Sequence, residues 1–222
     1  MKIDFVSDIS CPWCAIALTS LETALERLGP DVPVTLNFQP FELNPQMAPE
    51  GEDTAEHLAR KYGMPAEQVQ KNREAIRERG AVVGFTFNMD KRARIYNTFD
   101  AHRLLHWAAV LDEEQGGTLE HAGENALALK QAFLKAYFTD GQDPSSHEVL
   151  VRYVTEAGLD GAQAREVLTS GRYTAEVRER EQDYRQRGIH SVPSIIIDDK
   201  HLIQGGQPPE VFEQALRQLA AG

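Results

Sequence analysis

The two cysteines of the chain, Cys11 and Cys14, lie three positions apart in the segment SDISCPWCAIAL. The thiolate is the reactive form of cysteine, and the N-terminus of a helix favours it because free N–H groups and the positive dipole end lie there. A second thiol one helical turn later is placed to attack a mixed disulfide formed on the first. The pair therefore predicts thiol–disulfide chemistry if this segment begins a helix.

Two other interpretations compete with this chemistry. A structural zinc site takes four protein ligands, but the chain has no third cysteine, and His190 and His201 lack the spacing of a zinc finger. We therefore predict no metal site. Two buried thiols that share this spacing by chance remain the second alternative, because free cysteine is often simply buried.

The residues around the cysteines predict a strand, a turn and a helix. Residues 2–7 are rich in β-forming side chains, and Cys14, Leu18, Leu21, Leu25 and Leu28 then share one helical face that ends at Gly29. Pro12 suits the first position of that helix, where its missing N–H costs nothing. Residues 32–39 alternate apolar and polar side chains, which predicts a half-buried strand, at an edge because of Pro33. A strand–helix–strand unit of this length is typical of a right-handed parallel crossover.

Helical patterns fill the middle of the chain, from about Thr54 to Arg187, apart from an aromatic loop at 84–90. The predicted helices cover 54–63, 65–80, 95–111, 122–137, 146–157, 160–169 and 173–187. Strand patterns return as a hairpin at 195–204, and a last helix starts at Pro208-Pro209. We expect an α/β fold made of one discontinuous domain, residues 1–45 and 188–222, with an all-helical insertion at 46–187.

Charge and composition exclude some partners. The 222 residues include 23 basic and 34 acidic side chains, and the net charge of −11 would repel nucleic acids and anionic membranes. The N-terminus lacks the pattern of a signal peptide, and no window has the roughly 18 apolar residues of a membrane span. We expect a cytoplasmic protein, in a compartment that keeps most thiols reduced.

Four polar residues are secondary candidates. Asp8 is a candidate proton acceptor for the cysteines, although aspartate at this position more often caps a helix or bonds a turn. His102 and His106 share a helical face, and with no third ligand nearby we interpret them as partly buried and hydrogen-bonded. Asn97 and His102 are expected to line a substrate-binding cleft between the inserted helices and the cysteine loop.

Several ordered blocks carry a resemblance that spans nearly the whole chain. Cys11-Pro12-Trp13-Cys14 after the first strand and Val192-Pro193 before the hairpin resemble the two facing loops of the thioredoxin fold, with a large helical insertion as in the DsbA family. Further blocks are similar to the cytoplasmic FrnE-like branch of that family, whose relatives include 2-hydroxychromene-2-carboxylate isomerase and kappa-class glutathione transferase. These blocks are SDISCPWC, PFELNP, NTFDAHRLLHWA, AYFTDGQD and GGQPPEVFEQAL.

The resemblance implies a role for each matching residue. Cys11 resembles the attacking thiol, Cys14 the resolving thiol, and Pro193 the cis-proline that lies against the active-site sulfur. Val192 would present its backbone to an extended peptide or to glutathione. Pro12 and Trp13 complete the expected substrate-contacting set.

This chain differs from the isomerases and transferases at two places in the matching segments. The isomerases and transferases have a serine where this chain has Cys11, and usually no second cysteine. The transferases bind the glutamyl end of glutathione through a serine–acid pair, and this chain has Gly206-Gln207 at those positions.

Three functions follow from these expectations. The first is a thiol–disulfide oxidoreductase or isomerase that acts on a disulfide-containing protein or a small thiol. It needs no cofactor beyond its own redox-active Cys11–Cys14 disulfide, and glutathione is a candidate co-substrate. The alternatives are a glutathione-dependent isomerase or transferase and a redox-regulated, chaperone-like binding module. We expect no nucleic-acid or membrane partner, and a monomer or homodimer.

Overall fold

The strands next to the cysteine segment and the strands near the end of the chain are separated by a long, mainly helical region. The computed structural model describes residues 1–114 and 123–221. In chain order its elements are β1 (Lys2–Ser7), α1 (Pro12–Leu28), a 3₁₀ turn (Gly29–Asp31), β2 (Thr35–Pro40), β3 (Glu52–Asp53), α2 (Thr54–Tyr62), α3 (Ala66–Val83), β4 (Arg94–Ile95), α4 (Phe99–Glu114), α5 (Glu124–Phe138), α6 (His147–Glu156), α7 (Gly161–Ser170), α8 (Thr174–Gln186), β5 (Ser194–Ile197), β6 (His201–Gln204) and α9 (Pro209–Ala221).

The main sheet has four strands in the order β2-β1-β5-β6. β1 and β2 are parallel, with Lys2 opposite Thr35, and α1 is the connection between them. β5 runs antiparallel to β1 and forms a hairpin with β6. The predicted parallel unit and hairpin are therefore confirmed, and so is the expected α/β class.

A buried helix fixes the cysteine segment on this sheet. Cys14, Leu18 and Leu21 are all buried on the same face of α1, as their spacing predicted. On the sheet, the Phe5 ring packs edge-on against Phe38, with ring centroids 5.9 Å apart. Because α1 also packs against α9, its N-terminus cannot shift without disturbing the core.

The second predicted strand was placed too early. The pattern suggested a strand from Val32, but β2 begins at Thr35. Pro33 cannot donate a backbone hydrogen bond, and Thr35 already faces Lys2, the first residue of β1. Residues 32–34 consequently have no strand beside them to pair with.

The middle of the chain is not helical throughout, which corrects a second expectation. β3 and β4 form a small antiparallel ladder in which Glu52 faces Ile95. Ile95, predicted to start a helix, therefore belongs to a strand, and α4 starts at Phe99 instead. The Oδ1 atom of Asn97 accepts a hydrogen bond from the Phe99 N–H at 2.9 Å, which satisfies a free donor at the start of that helix.

The start of α5 is capped from another helix. Both carboxylate oxygens of Asp112, on α4, accept backbone N–H groups of α5, from Asn125 and Ala126, each at 3.0 Å. Asp112 is buried, so these bonds are protected from water. Position 122, where the pattern predicted this helix to begin, lies outside the described residues.

No helix in the described part of the chain is long and apolar enough to cross a membrane. The domain boundaries after residue 45 and before residue 188 stay a prediction.

Replacing Asp112 with alanine should destabilise the fold, because two buried N–H groups at the start of α5 lose their acceptors. We expect a loss of about 2 kcal/mol in the free energy of unfolding, measured by urea denaturation. The adjacent Glu113, also on α4 but exposed, provides the matched control. If Glu113→Ala costs as much as Asp112→Ala, the cap does not hold the two helices together.

Candidate active site

The two cysteines occupy different positions at the start of α1. Cys11 is the N-cap residue, with extended backbone angles, and its N–H donates to the Asp8 carbonyl at 3.2 Å. Pro12 takes the first helical position, as predicted. The Cys11 sulfur therefore lies at the positive end of the helix.

Cys14 lies one turn inside the helix and is fully buried. Its N–H donates to the Cys11 carbonyl at 3.1 Å. Burial raises the pKa of the Cys14 thiol well above its ordinary value, and the adjacent Cys11 sulfur adds to the increase. Both cysteines are free thiols. The raised pKa of Cys14 favours its protonated form.

The loop before β5 lies against Cys11. The Val192-Pro193 peptide bond is cis. The Sγ atom of Cys11 lies 3.7 Å from the carbonyl oxygen of Val192, within reach of a weak S–H···O contact. The structure thus brings Cys11, Val192 and Pro193 together, as the sequence resemblance implies.

Trp13 forms part of the accessible surface beside Cys11, with 38% of its surface exposed. A Cβ atom at Gly206 would lie only 3.0 Å from the Trp13 ring, so a larger residue there would require the ring to shift by a few tenths of an ångström. Arg79, on α3, donates to the Gly206 carbonyl at 3.0 Å. The Gly206 loop is therefore held between Trp13 and the inserted helices.

Asp8 is a buried carboxylate surrounded by donors. It accepts from the Ser10 N–H at 3.1 Å, the Ser10 hydroxyl at 2.9 Å and the Leu43 N–H at 2.7 Å. The Nε2 atom of His102 lies 3.6 Å from Asp8 Oδ1. Burial alone raises the pKa of Asp8, but His102 and the backbone N–H groups outweigh it and lower the pKa to about 2. Asp8 is therefore ionised at neutral pH and bonds the turn rather than capping α1.

The other predicted cleft residues lie behind this carboxylate. His102 is buried, and Asn97 donates to Glu42 Oε1 at 3.3 Å in addition to capping α4. His102 is therefore closed to solvent, whereas Asn97 is half-buried, and a part of either residue in substrate binding stays a prediction. His106 is half-buried, and its ring packs edge-on against Tyr173 at 5.0 Å.

A second charge cluster joins two buried carboxylates, Glu42 and Glu181, through the exposed Arg178. Arg178, on α8, forms an ion pair with Glu42 and another with Glu181, the latter at 2.8 Å. The Arg178 guanidinium also lies 3.6 Å from the centroid of the Phe99 ring. Burial and the Glu181 charge raise the pKa of Glu42, against the lowering effect of Arg178. This cluster attaches the loop after β2 to the inserted helices.

Two buried cations near the cysteines were not expected. Lys130, on α5, is buried, and burial lowers its pKa to about 8 despite the raising effect of Cys14, Asp8 and Cys11. Arg92 is also buried; it donates to the Ser10 carbonyl at 3.4 Å and lies over the Tyr137 ring. The sequence does contain a sign that Lys130 is buried, because this lysine falls on the same apolar face of its helix as Leu129 and Phe133.

Residues 1–114 and 123–221 contain no group of three or more potential metal ligands close together. The chemistry these residues support is therefore that of a dithiol with one outer and one inner sulfur, beside one buried carboxylate and two buried cations.

Comparisons with known proteins agree with this geometry. The family model described as a DSBA-like thioredoxin domain matches residues 2–217. A crystal structure of a probable DsbA oxidoreductase from Streptomyces coelicolor is 34% identical, with a TM-score of 0.83, and the match covers all of this chain and 90% of that one.

Two more distant structures share the fold alone. A 2-hydroxychromene-2-carboxylate isomerase is 17% identical with a TM-score of 0.67, over 99% of this chain and 96% of its own. The cytosolic disulfide reductase DsbM from Pseudomonas aeruginosa, in a structure with glutathione, is 16% identical with a TM-score of 0.67 over the whole of both chains. The expected thioredoxin-like fold with a DsbA-like helical insertion is thus confirmed.

Replacing Asp8 with asparagine should lower stability in a pH-dependent way. The folded pKa of about 2 lies below the usual value of about 3.9, so the carboxylate stabilises the fold above about pH 4 and loses that effect as pH falls towards 2. We expect Asp8→Asn to cost about 2 kcal/mol at neutral pH, with the difference from wild type shrinking below pH 4.

Urea denaturation at a series of pH values measures this difference. The exposed Asp31, replaced in the same way, is the control and should leave the pH dependence unchanged. A wild-type minus Asp8→Asn difference that stays constant down to about pH 2 would contradict the assignment of an ionised Asp8.

Proposed function

We propose, from the premise that the chain belongs to the DSBA-like thioredoxin domain family, that it is a thiol–disulfide oxidoreductase acting through Cys11 and Cys14. The observation that carries this proposal is the position of the Cys11 sulfur. It lies at the start of α1 and 3.7 Å from the Val192 carbonyl, beside Pro193. Cys11 is also the more accessible of the two sulfur-bearing residues, with 4% of its surface exposed against none for Cys14.

Cys11 is the attacking thiol in this proposal. Its thiolate attacks one sulfur of the substrate disulfide, forms a mixed disulfide and releases the other half of the substrate as a thiolate. Cys14 then attacks the Cys11 sulfur and releases the second half. The substrate gains two electrons and the enzyme pair loses them; the same steps in reverse oxidise a substrate dithiol.

The substrate class is a disulfide in a protein or in a small thiol compound. The half-buried Val192 backbone supports pairing with an extended peptide, and the exposed Trp13 ring supports an apolar contact beside the reacting sulfur. Glutathione is a co-substrate in this proposal, by analogy with the DsbM structure that contains it. No cofactor is needed, since the Cys11–Cys14 pair carries the electrons.

We also propose a cytosolic setting and a relationship to the FrnE-like branch. The support is the DsbM likeness, the low number of cysteines and the sequence blocks that resemble that branch. Alkylation of free thiols in intact cells, followed by separation of the modified forms, measures the redox state of the pair in place.

A glutathione-dependent isomerase is the second candidate, because the isomerase structure shares this fold over nearly its whole length. Such an enzyme uses the thiol of glutathione and does not need Cys14. Isomerase turnover retained in full by Cys14→Ser, with glutathione present, would favour this candidate.

A trapping experiment tests the oxidoreductase proposal. Reduced Cys14→Ser, mixed with oxidised glutathione, should accumulate a mixed disulfide, because the resolving thiol is missing. Mass spectrometry of the intact protein and of its peptides should place the added glutathione on Cys11.

Cys11→Ser is the matched control, since it keeps Cys14 as the only thiol. It should form at most a trace of adduct, because Cys14 is fully buried. An adduct on Cys14 in Cys11→Ser that forms as fast as the adduct on Cys11 would refute the assigned roles.

A further inference from the structure

Arg79, near the end of α3, lies beside the candidate active site without an acidic partner. The side chain is half-buried, and its Nη2 atom donates to the Gly206 carbonyl at 3.0 Å. Within residues 1–114 and 123–221, Arg79 forms no ion pair and no second hydrogen bond. The buried polar atoms that lack a partner include none from Arg79, so its remaining N–H groups reach solvent. These donors are therefore free to bind a ligand from solution.

The Gly206 loop, residues 205–207, connects Arg79 to the surface beside the cysteines. Gly206 packs against the Trp13 ring, because a Cβ atom at that position would lie 3.0 Å from it. Trp13 is exposed, and α3 packs against α1, the helix that carries this tryptophan. Arg79 and Trp13 therefore contact the same loop residue, one with a charged group and the other with an aromatic ring.

The Gly206 loop also contacts the segment that faces the outer sulfur. The Gly205 N–H donates to the Pro193 carbonyl at 3.0 Å, and the Val192 carbonyl lies 3.7 Å from the Cys11 sulfur. An extended peptide that pairs with Val192, as proposed above, would run along this segment with its own cysteine at Cys11. Residues close to that cysteine would then lie next to the Gly206 loop.

The charge of Arg79 is opposite to that of the protein as a whole. A net charge of −11 repels an acidic substrate at long range. A guanidinium offers parallel N–H donors to a carboxylate, and hydrogen bonds between charged groups are stronger than those between neutral ones. A cation with free donors at this position therefore favours a substrate carboxylate locally, against the general repulsion.

We propose that Arg79 binds an acidic side chain that flanks the cysteine of a peptide substrate, so that the enzyme prefers disulfides in acidic sequence surroundings. This inference rests on the proposed oxidoreductase function and adds a specificity-determining residue to it. Side chains alternate along an extended peptide, so a residue one or two positions from the cysteine presents its side chain to the Gly206 loop. Arg79 takes no part in the sulfur chemistry and holds the substrate while the Cys11 thiolate attacks.

A matched pair of peptide disulfides tests this preference. Each peptide has a central cysteine in a mixed disulfide with 2-thiopyridine, flanked on both sides by glutamates in one peptide and by glutamines in the other. Attack of the Cys11 thiolate on the peptide sulfur forms a Cys11–peptide disulfide and releases pyridine-2-thione, whose absorbance gives the second-order rate constant by stopped flow. In Arg79→Gln we expect the ratio of the glutamate-peptide rate to the glutamine-peptide rate to fall about tenfold, the order of one charge-assisted hydrogen bond.

Two further variants separate the charge of Arg79 from its contact with the Gly206 loop. Glutamine at position 79 removes the charge but keeps an N–H group that can donate to the Gly206 carbonyl. Arg79→Lys keeps the charge and should retain most of the preference for the glutamate peptide. Arg77→Gln, at an exposed position on the same helix, makes the same change in net charge and should reproduce the wild-type ratio.

Three outcomes overturn the inference. One is a ratio that Arg79→Gln leaves unchanged, and another is an equal slowing of both peptides, which would make Arg79 a structural contact of the Gly206 loop only. The third is a loss confined to oxidised glutathione, measured alongside, which would assign the carboxylate to glutathione instead of an acidic peptide. In all three the wild type still reacts through Cys11. Release of pyridine-2-thione by the wild type that is no faster than by Cys11→Ser would instead contradict the oxidoreductase function itself.

Discussion

The Asp8 carboxylate is the interaction on which the arrangement of the site depends. It joins the cysteine loop, through Ser10, to the loop after β2, through Leu43, and to the inserted helix α4, through His102. Removing a carboxylate from water costs several kcal/mol unless donors replace the lost hydration. Ser10 and Leu43 supply these donors from two segments, and the His102 ring of α4 lies 3.6 Å from the carboxylate. The loss of either loop would leave a buried charge short of a donor. The position of Cys11 is consequently fixed by parts of the chain that are distant in sequence.

The main sheet and α1 position the two cysteine sulfurs, whereas the inserted helices contribute buried charged side chains around them. β1, α1 and the loop before β5 bring Cys11, Cys14 and Val192 together. Besides Asp8 and Arg92, the charged groups behind them come from α4, α5 and α8, and the most buried on these helices are His102 and Lys130. Two proteins with the same sheet can therefore hold the same sulfur geometry in different electrostatic surroundings. This division gives a physical reason why one fold includes both disulfide reductases and a 2-hydroxychromene-2-carboxylate isomerase.

Local patterns predicted the parts of the structure that local forces determine. The helical face that includes Cys14, the hairpin at the end of the chain and the turn before α1 all follow from periodicity and turn residues. β3 and β4 have two residues each, too few to show any period. The ion pair of Glu42 with Arg178 joins residues 136 positions apart, and no local pattern contains it. Lys130 was detectable as a lysine on an apolar stripe, but only the folded chain shows that this stripe faces the cysteines.

In the proposed reaction, burial determines the order of the steps. Cys11 is 4% exposed and Cys14 is not exposed at all, so a substrate sulfur would meet Cys11 first and reach Cys14 only through the mixed disulfide. Only the reduced form of a dithiol pair can carry a thiolate. Cations near the sulfurs therefore favour the reduced form and make such a pair more oxidising, whereas an anion has the opposite effect. Lys130 and Arg92 are such cations, and Asp8 is such an anion, each held on a different segment of the chain. If the chain acts as proposed, the direction of electron flow depends on the packing between sheet and insertion as well as on the four residues from Cys11 to Cys14.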